Sequence, residues 1–422
     1  MRATETKSPS TIQQDTWRIM LRCFSYLRPY WRQTAGVYLT LLAITGLTLL
    51  IPQFIRWIVD RGMGGQDIRL LGLSVLGLLG LTVLRGLLTF LQGRWSETAS
   101  QGVAYDLRNA LHLRLLGLSF SYHDRTETGQ LLSRALQDVE RVRFLTGRAF
   151  LRIVDAVVLL AGTLAALIMM NAWLALLSLC MMPLMAYRAY QFGRRFRPIS
   201  LQVQEQLAVL TTRLEQNLRG ARVVKAFAQE DAEIVRFERE NDRWFTLNAE
   251  AARLQAINMP LLDLIANIGI VFIIWYGGVL VIGGQLTVGE LVAFSTYLGQ
   301  LVQPVRRLGT IIPAIAQAAA SAERIFEILD AESEVRETPD ALPLPPIRGH
   351  VRFENVSFSY FGRHQVLKDI SFEAQPGQVI ALLGATGSGK SSIINLIPRF
   401  YDPTEGRITI DGHDIRHVTL ES

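Results

Sequence analysis

Apolar residues in this chain gather in long uncharged blocks, separated by charged stretches of very unequal length. Thr34 to Ile55 contains no Asp, Glu, Lys or Arg. Leu70 to Leu84 is also uncharged, and its apolar texture resumes beyond Arg85 as far as Gln92. Ala156 to Tyr187 runs for 32 residues without a charge, interrupted only by polar Asn171. A helix crosses a bilayer core with about 20 apolar residues. That block is therefore too long for one upright helix and reads as two, joined by a tight turn at Asn171. Leu254 to Gly289 carries the single charge Asp263 and ends in Gly283, Gly284 and Gln285, after which Leu291 to Val305 forms a last apolar stretch. The pattern predicts six membrane-crossing helices.

The connections after the first, third and fifth blocks are short. Those after the second and fourth, Gln92 to Arg152 and Arg188 to Arg253, are long and carry nine and twelve Lys plus Arg. Positive charge concentrates on the cytoplasmic side of membrane proteins, which places both long connections and both termini there. Structureless loops of such length are uncommon. Leu107, Leu111, Leu115 and Leu118 recur at helical spacing, a break follows at His123 to Gly129, and the period resumes through Leu131, Leu132 and Val139. The second connection repeats this plan around Leu218 to Gly220, with the amphipathic piece Ala221 to Ala228. Two helical hairpins of roughly 40 Å, at 1.5 Å per residue, are expected to project into the cytoplasm. The polar start of the chain lacks a signal-peptide pattern, and Trp17 to Tyr30 reads as an amphipathic helix on the membrane surface.

The texture changes after Asp330. Acidic residues and Pro339, Pro343, Pro345 and Pro346 mark an exposed linker. Val351 to Tyr360 alternates as a half-buried strand, Ile370 to Ala374 is similar, and Gln378 to Leu383 is apolar enough for a buried strand. Directly after it stands Gly384-Ala385-Thr386-Gly387-Ser388-Gly389-Lys390-Ser391, which fits GxxxxGK[ST]. Glycines let the backbone curl so that successive N–H groups face phosphate oxygens, and a helix from Lys390 to Ile397 aims its positive end at them. Lys390 is then placed to reach the β- and γ-phosphates of a nucleotide, and the Ser391 hydroxyl to ligand Mg²⁺.

Composition narrows the alternatives. Half of the 422 residues are hydrophobic and 19% are charged, which excludes intrinsic disorder. The net charge of +6 is accounted for by membrane-flanking Arg and Lys, so no nucleic-acid partner is expected. Cys23 and Cys180 form no disulfide framework or thiolate metal site. His413 and His417 stand four apart, but in a segment that reads as strand and turn, so they are taken as solvated. Asp263 and Arg85 lie in spans where charge is costly; a buried pair or snorkelling is preferred to a role in cargo or proton movement.

The motifs GATGSGKSS at Gly384 to Ser392, IPRFYDPTEGRITIDGHDI at Ile397 to Ile415, VRFENVSFSY ending at Tyr360, and SAERIFEILD at Ser321 to Asp330 resemble the ATP-binding cassette (ABC) exporter family. The resemblance runs from about Trp17 to Ser422, in the arrangement where six spans and a nucleotide-binding domain share one chain. It implies an α-helical membrane domain of six transmembrane helices with long cytoplasmic extensions, followed by an incomplete α/β P-loop nucleotide-binding domain. The corresponding segments are 1–33 with the interfacial helix, 34–329 for the membrane domain, 330–350 for the linker and 351–422 for the nucleotide domain. By this similarity Tyr360 stacks on adenine, and Thr386 to Ser392, with Gly384, form the phosphate cradle. The tips near Ser119 to Gly129 and Asn217 to Gln229 are implied to be coupling helices.

The family's glutamine loop, LSGGQ-type signature, catalytic Glu and switch His are not found among the 422 residues. The nucleotide domain is accordingly read as truncated, with negligible hydrolysis expected of this polypeptide alone. Implied partners are a second transporter half, identical or not, the bilayer of a cell membrane, and an exported small molecule, lipid or peptide. Two rival readings are a non-hydrolytic nucleotide-binding membrane protein or regulator, and a channel or receptor with an unrelated phosphate loop. The long cytoplasmic hairpins and the strands before Gly384 weigh against a channel.

Overall fold

The computed structural model describes residues 9–422 other than residue 363; the first eight residues of the expected N-terminal segment lie outside the described residues. Helix α1 spans Pro9–Ser25, α2 Trp31–Trp57, α3 Ile68–Leu116 and α4 Phe120–Arg125. A helical run with π-type turns, α5, covers Thr128–Met170. It is followed by α6 Ala172–Leu179, α7 Met181–Arg219, α8 Ala221–Ala226, α9 Glu230–Ile282 and α10 Val288–Asp330. Among the described residues five helical runs are long and apolar enough to cross a membrane. The last expected stretch, Leu291 to Val305, lies within α10.

The chain divides into two compact units that interleave in sequence. One comprises Tyr30–Ala99 and Gly147–Ala316; the other draws on Met1–Pro29, Ser100–Thr146 and Gln317–Ser422. In the first unit, Asn171 does what its position between two apolar runs predicts. Its side chain accepts a hydrogen bond from the Leu174 amide at 3.0 Å, capping α6 and satisfying an otherwise orphaned donor. Leu167, Leu174, Ile273, Phe294, Tyr297 and Leu301 form the buried core of this unit. The start of α10 is clasped to the end of α2 and the π-helical turn Ile58–Met63 that follows it. Asp60 accepts from Thr287 Oγ1 at 2.6 Å and from the Gly289 amide at 2.8 Å, while Arg56 pairs with Glu290 at 2.7 Å. Gly289 is required there, since a Cβ would lie 2.4 Å from the Arg56 carbonyl. Arg85 on α3 and Asp263 on α9 have exposed side chains in this single chain.

In the second unit four strands form an antiparallel sheet of order β2-β1-β3-β4. They are β1 Val351–Tyr360, β2 His364–Ala374, β3 Glu405–Ile410 and β4 His413–Asp414. Strand β2 is longer than the expected Ile370 to Ala374. Its centre hides a bulge where Asn355 and Asp369 both take left-handed backbone, φ 49° and 50°, and bond to each other through Asn355 Nδ2 and Asp369 Oδ1 at 2.7 Å. The bulge shifts the phase of β1, so that Phe353, Val356 and Phe358 all reach the core. That core also holds Leu367, Ile393, Leu396, Tyr401 and Ile408, with helix α11 (Lys390–Leu396) against the sheet.

One expectation is overturned. Gln378 to Leu383 forms no strand: it is irregular, and Val379 and Leu383 are each 93% exposed. A buried strand needs hydrogen-bonded neighbours on both sides, and no described strand pairs with this segment.

The expected linker, in turn, is tied down along its length. Asp330 takes both guanidinium nitrogens of Arg22 at 2.5 and 2.7 Å. Glu334 meets Arg125 at 2.6 Å, the Arg336 carbonyl accepts from Arg399, and Leu342 pairs with the backbone around Val418. Asp411 accepts from the amides of Arg348, Gly349 and His350.

Candidate functional site: a phosphate cradle and an aromatic cluster

The segment Gly384 to Gly389 is shaped by backbone that only glycine adopts freely. Gly387 and Gly389 sit at φ 85° and 88°. Gly389 also has no room for a side chain, because a Cβ would lie 2.7 Å from Leu367 Cδ2 and 3.1 Å from the Val366 carbonyl. The loop is thus pressed onto β2 at its last residue, immediately before α11. By helix geometry the first amides of α11 have no intrahelical acceptor and are left facing the loop.

Lys390 arches back over this loop. Its ammonium donates to the Gly384 and Ala385 carbonyls, each at 2.8 Å, and to Ser388 Oγ at 3.3 Å. The donors gathered here are backbone amides, one ammonium and the hydroxyls of Ser388 and Ser391. Among the described residues no carboxylate bonds to the loop, so the donor set suits a polyanion such as a triphosphate. Ser391 is exposed and free to turn toward a ligand, whereas Ser392 is buried and its Oγ lies 3.1 Å from Tyr360 Oη. Residues Gly384 to Ser392 and Tyr360 are therefore one contiguous group in space.

Around Tyr360 the structure adds residues that the sequence did not single out. Phe358 and Tyr401 meet its ring edge-on, with centroids 4.7 and 5.3 Å away. Tyr401 is 8% exposed, and its hydroxyl donates to Asp124 Oδ2 on α4 at 2.5 Å. Burial pushes the Tyr401 phenol above its ordinary range and the Asp124 carboxylate pushes it further, so the hydroxyl stays protonated as a donor. Phe120 on α4 stacks on Phe400 at 4.3 Å, and the Arg125 guanidinium lies 4.4 Å over the Phe361 ring. A cavity of about 100 Å³ remains between Ser121, Glu334, Tyr360, Phe361, Tyr401 and Asp402. Phe400 and Tyr401 belong to the quoted IPRFYDP motif, but no spacing rule pairs Tyr401 with an aspartate 277 residues earlier.

The second tip, α8, carries exposed apolar side chains: Val223 is 60% exposed, and the flanking Leu218 and Phe227 are 70% and 72% exposed. In the membrane unit a cleft of about 690 Å³ is lined by Leu49, Leu50, Met169 and Met170, with Gln53, Arg56 and Glu290 as its polar groups.

Comparison with known proteins matches residues 36–305 to the family described as "ABC transporter transmembrane region" and residues 367–422 to the family described as "ABC transporter". The chain is 34% identical to the Uncharacterized ABC transporter ATP-binding protein YknU of Bacillus subtilis, over 94% of this chain and 68% of that protein. It is 32% identical to the ATP-dependent lipid A-core flippase of Desulfotalea psychrophila, over 96% of this chain and 70% of that one. A third relative, the Putative multidrug export ATP-binding/permease protein YgaD of Bacillus subtilis, is 29% identical over 96% of this chain and 71% of its own length.

Proposed function

Because the chain belongs to the ABC transporter family, as an exporter half with membrane and nucleotide-binding regions in one polypeptide, we propose that it binds ATP at Gly384 to Ser392 and couples that binding to export across a cell membrane. The observation that carries this reading is the cradle itself, in which Lys390 and the glycine-shaped loop converge without any carboxylate. Lys390 leaves its carbonyl partners to reach phosphate oxygens, the amides from Gly387 to Ser392 cap them, and Ser391 offers its hydroxyl to Mg²⁺. Tyr360 stacks on the adenine. Bound ATP supplies a polyanion that can be shared across two facing nucleotide domains.

Two copies, or this chain and a related half, are required for switching between inward- and outward-facing states. The exposed apolar surface of α8 supports that pairing, since side chains such as Val223 and Phe227 need a covering partner. The cargo is an amphiphile drawn from the bilayer. Support comes from the cleft with apolar walls and a polar end at Gln53, Arg56 and Glu290, and from relatives named for lipid A-core and multidrug export.

These 422 residues alone bind nucleotide without turning it over, because none of their described acidic groups bonds to the cradle where it could orient water. Labelled-ATP titration and phosphate release, each against Lys390→Ala, test both statements. The wild-type chain should bind and the variant should not, with equal and negligible turnover. Binding that survives Lys390→Ala refutes the site, and turnover above that control refutes the second statement.

A further inference from the structure

We propose that Tyr401 and Asp124 form a positioning pair that sets the affinity of the site for the base of the nucleotide, so that base binding and seating of the α4 tip are one linked equilibrium. The inference rests on the reading that Tyr360 receives the base, and extends it to two residues that touch no nucleotide.

Besides the edge-on contact of Phe358, two contacts restrain the Tyr360 ring. Its hydroxyl is held by Ser392 Oγ at 3.1 Å, and its edge is fixed by Tyr401, whose ring stands at 84° to it with centroids 5.3 Å apart. Tyr401 is in turn set from the far side: its hydroxyl donates to Asp124 at 2.5 Å, and Phe120 of the same helix lies 6.5 Å from its ring. A charge-assisted hydrogen bond of this kind is about twice as strong as a neutral one, and edge-on aromatic contacts add directional preference. Arg125, five residues after Phe120 at the other end of α4, holds the neighbouring Phe361 and Glu334. The platform for the base is thus assembled partly from a helix of the first hairpin.

Among the described residues the aromatic cluster meets the triphosphate end only at the last cradle residue, through Tyr360 Oη and Ser392 Oγ. Lys390, the glycines and Ser388 are held by the loop's own carbonyls and by β2. Loss of the α4 anchor should therefore weaken recognition of the base and leave recognition of the triphosphate intact. Linkage makes the effect reciprocal: whatever α4 contributes to base binding, base binding contributes to the seating of α4.

The test uses the whole chain in lipid nanodiscs, with fluorescent ATP displaced either by ATP or by inorganic tripolyphosphate, both with Mg²⁺. Tyr401→Phe and Asp124→Ala should each weaken ATP by about fivefold, the low end of typical coupling energies, with tripolyphosphate unchanged. The double variant should be no weaker than either single one, because both remove the same bond. Equal loss of both ligands would make the pair merely structural and overturn the proposal. So would unchanged ATP affinity, or additive losses in the double variant. Tyr360→Ala separates the two levels: if it binds ATP as tightly as wild type, the reading that Tyr360 receives the base itself fails, whatever Tyr401 does.

Discussion

Replacing Gly389 by alanine probes the cradle most directly, and the structure sets its size. The residue sits at φ 88°, where an L side chain costs about 1–2 kcal/mol. Its new methyl would lie 2.7 Å from Leu367 Cδ2 and 3.1 Å from the Val366 carbonyl. Leu367 is 3% exposed within the sheet core, so moving its terminal carbon off a rotamer adds about 1 kcal/mol. The backbone carbonyl cannot yield as a side chain can. The total of about 2–3 kcal/mol is relieved only if the loop leaves the conformation that Lys390 closes. ATP affinity should then fall roughly 30- to 140-fold, at about 1.4 kcal/mol per factor of ten. Gly412→Ala is the control. That glycine has φ 82° in the β3–β4 turn and open space around it, so it bears the same backbone strain far along the chain from the cradle. The assay is ATP titration of both variants in nanodiscs beside thermal melting. Gly412→Ala should lower the melting temperature and leave ATP affinity alone. If Gly389→Ala binds ATP as tightly as Gly412→Ala does, the argument that local crowding shapes the cradle is wrong.

Two further outcomes are expected. Asp138 is 3% exposed and takes both Arg324 nitrogens at 2.6 and 2.8 Å, with Arg141 a weaker second partner at 3.4 Å. Arg324→Met should therefore cost about 2 kcal/mol in melting experiments, because it takes the main charged donor from a buried carboxylate and leaves only the weaker Arg141 contact; a variant as stable as wild type contradicts this. Asp411 is held below the usual carboxylate range by the amides of His350 and Arg348, and further by that of Gly349. A lowered folded pKa means that its contribution is complete above the unfolded value near 3.8 and disappears as pH falls through the folded one. Hydrogen exchange at Arg348 to His350, compared between wild type and Asp411→Asn, should differ near neutral pH and the difference should shrink as the pH falls below the unfolded value; a constant difference rejects the linkage.

The pattern of apolar blocks was sufficient for the five long apolar helical runs among the described residues and for the break at Asn171, because apolar length and helix capping are local rules that each segment obeys by itself. The phosphate loop was legible for the same reason: a left-handed glycine at 389 and a lysine beside it are conditions on eight consecutive residues. Strand β2 was only half visible, since Lys368 and Asp369 interrupt its apolar run and the bulge that accommodates them is defined by Asn355 on the neighbouring strand. Gln378 to Leu383 misled for the opposite reason, its composition suiting a buried strand while no described strand lies beside it.

What tertiary structure alone decided are the pairings between distant residues. Tyr401 with Asp124, Arg324 with Asp138, Asp330 with Arg22 and Asp411 with the amides of the linker each join segments far apart in the chain. Hydrophobic periodicity records whether a position faces lipid, water or a core. It carries no address for the partner, because a carboxylate gains as much from any well-placed donor. The amino-acid sequence therefore determined where the long apolar helices lie and where the glycine-shaped loop sits. The folded chain determined that the tip of the first hairpin rests against the aromatic side chains beside that site.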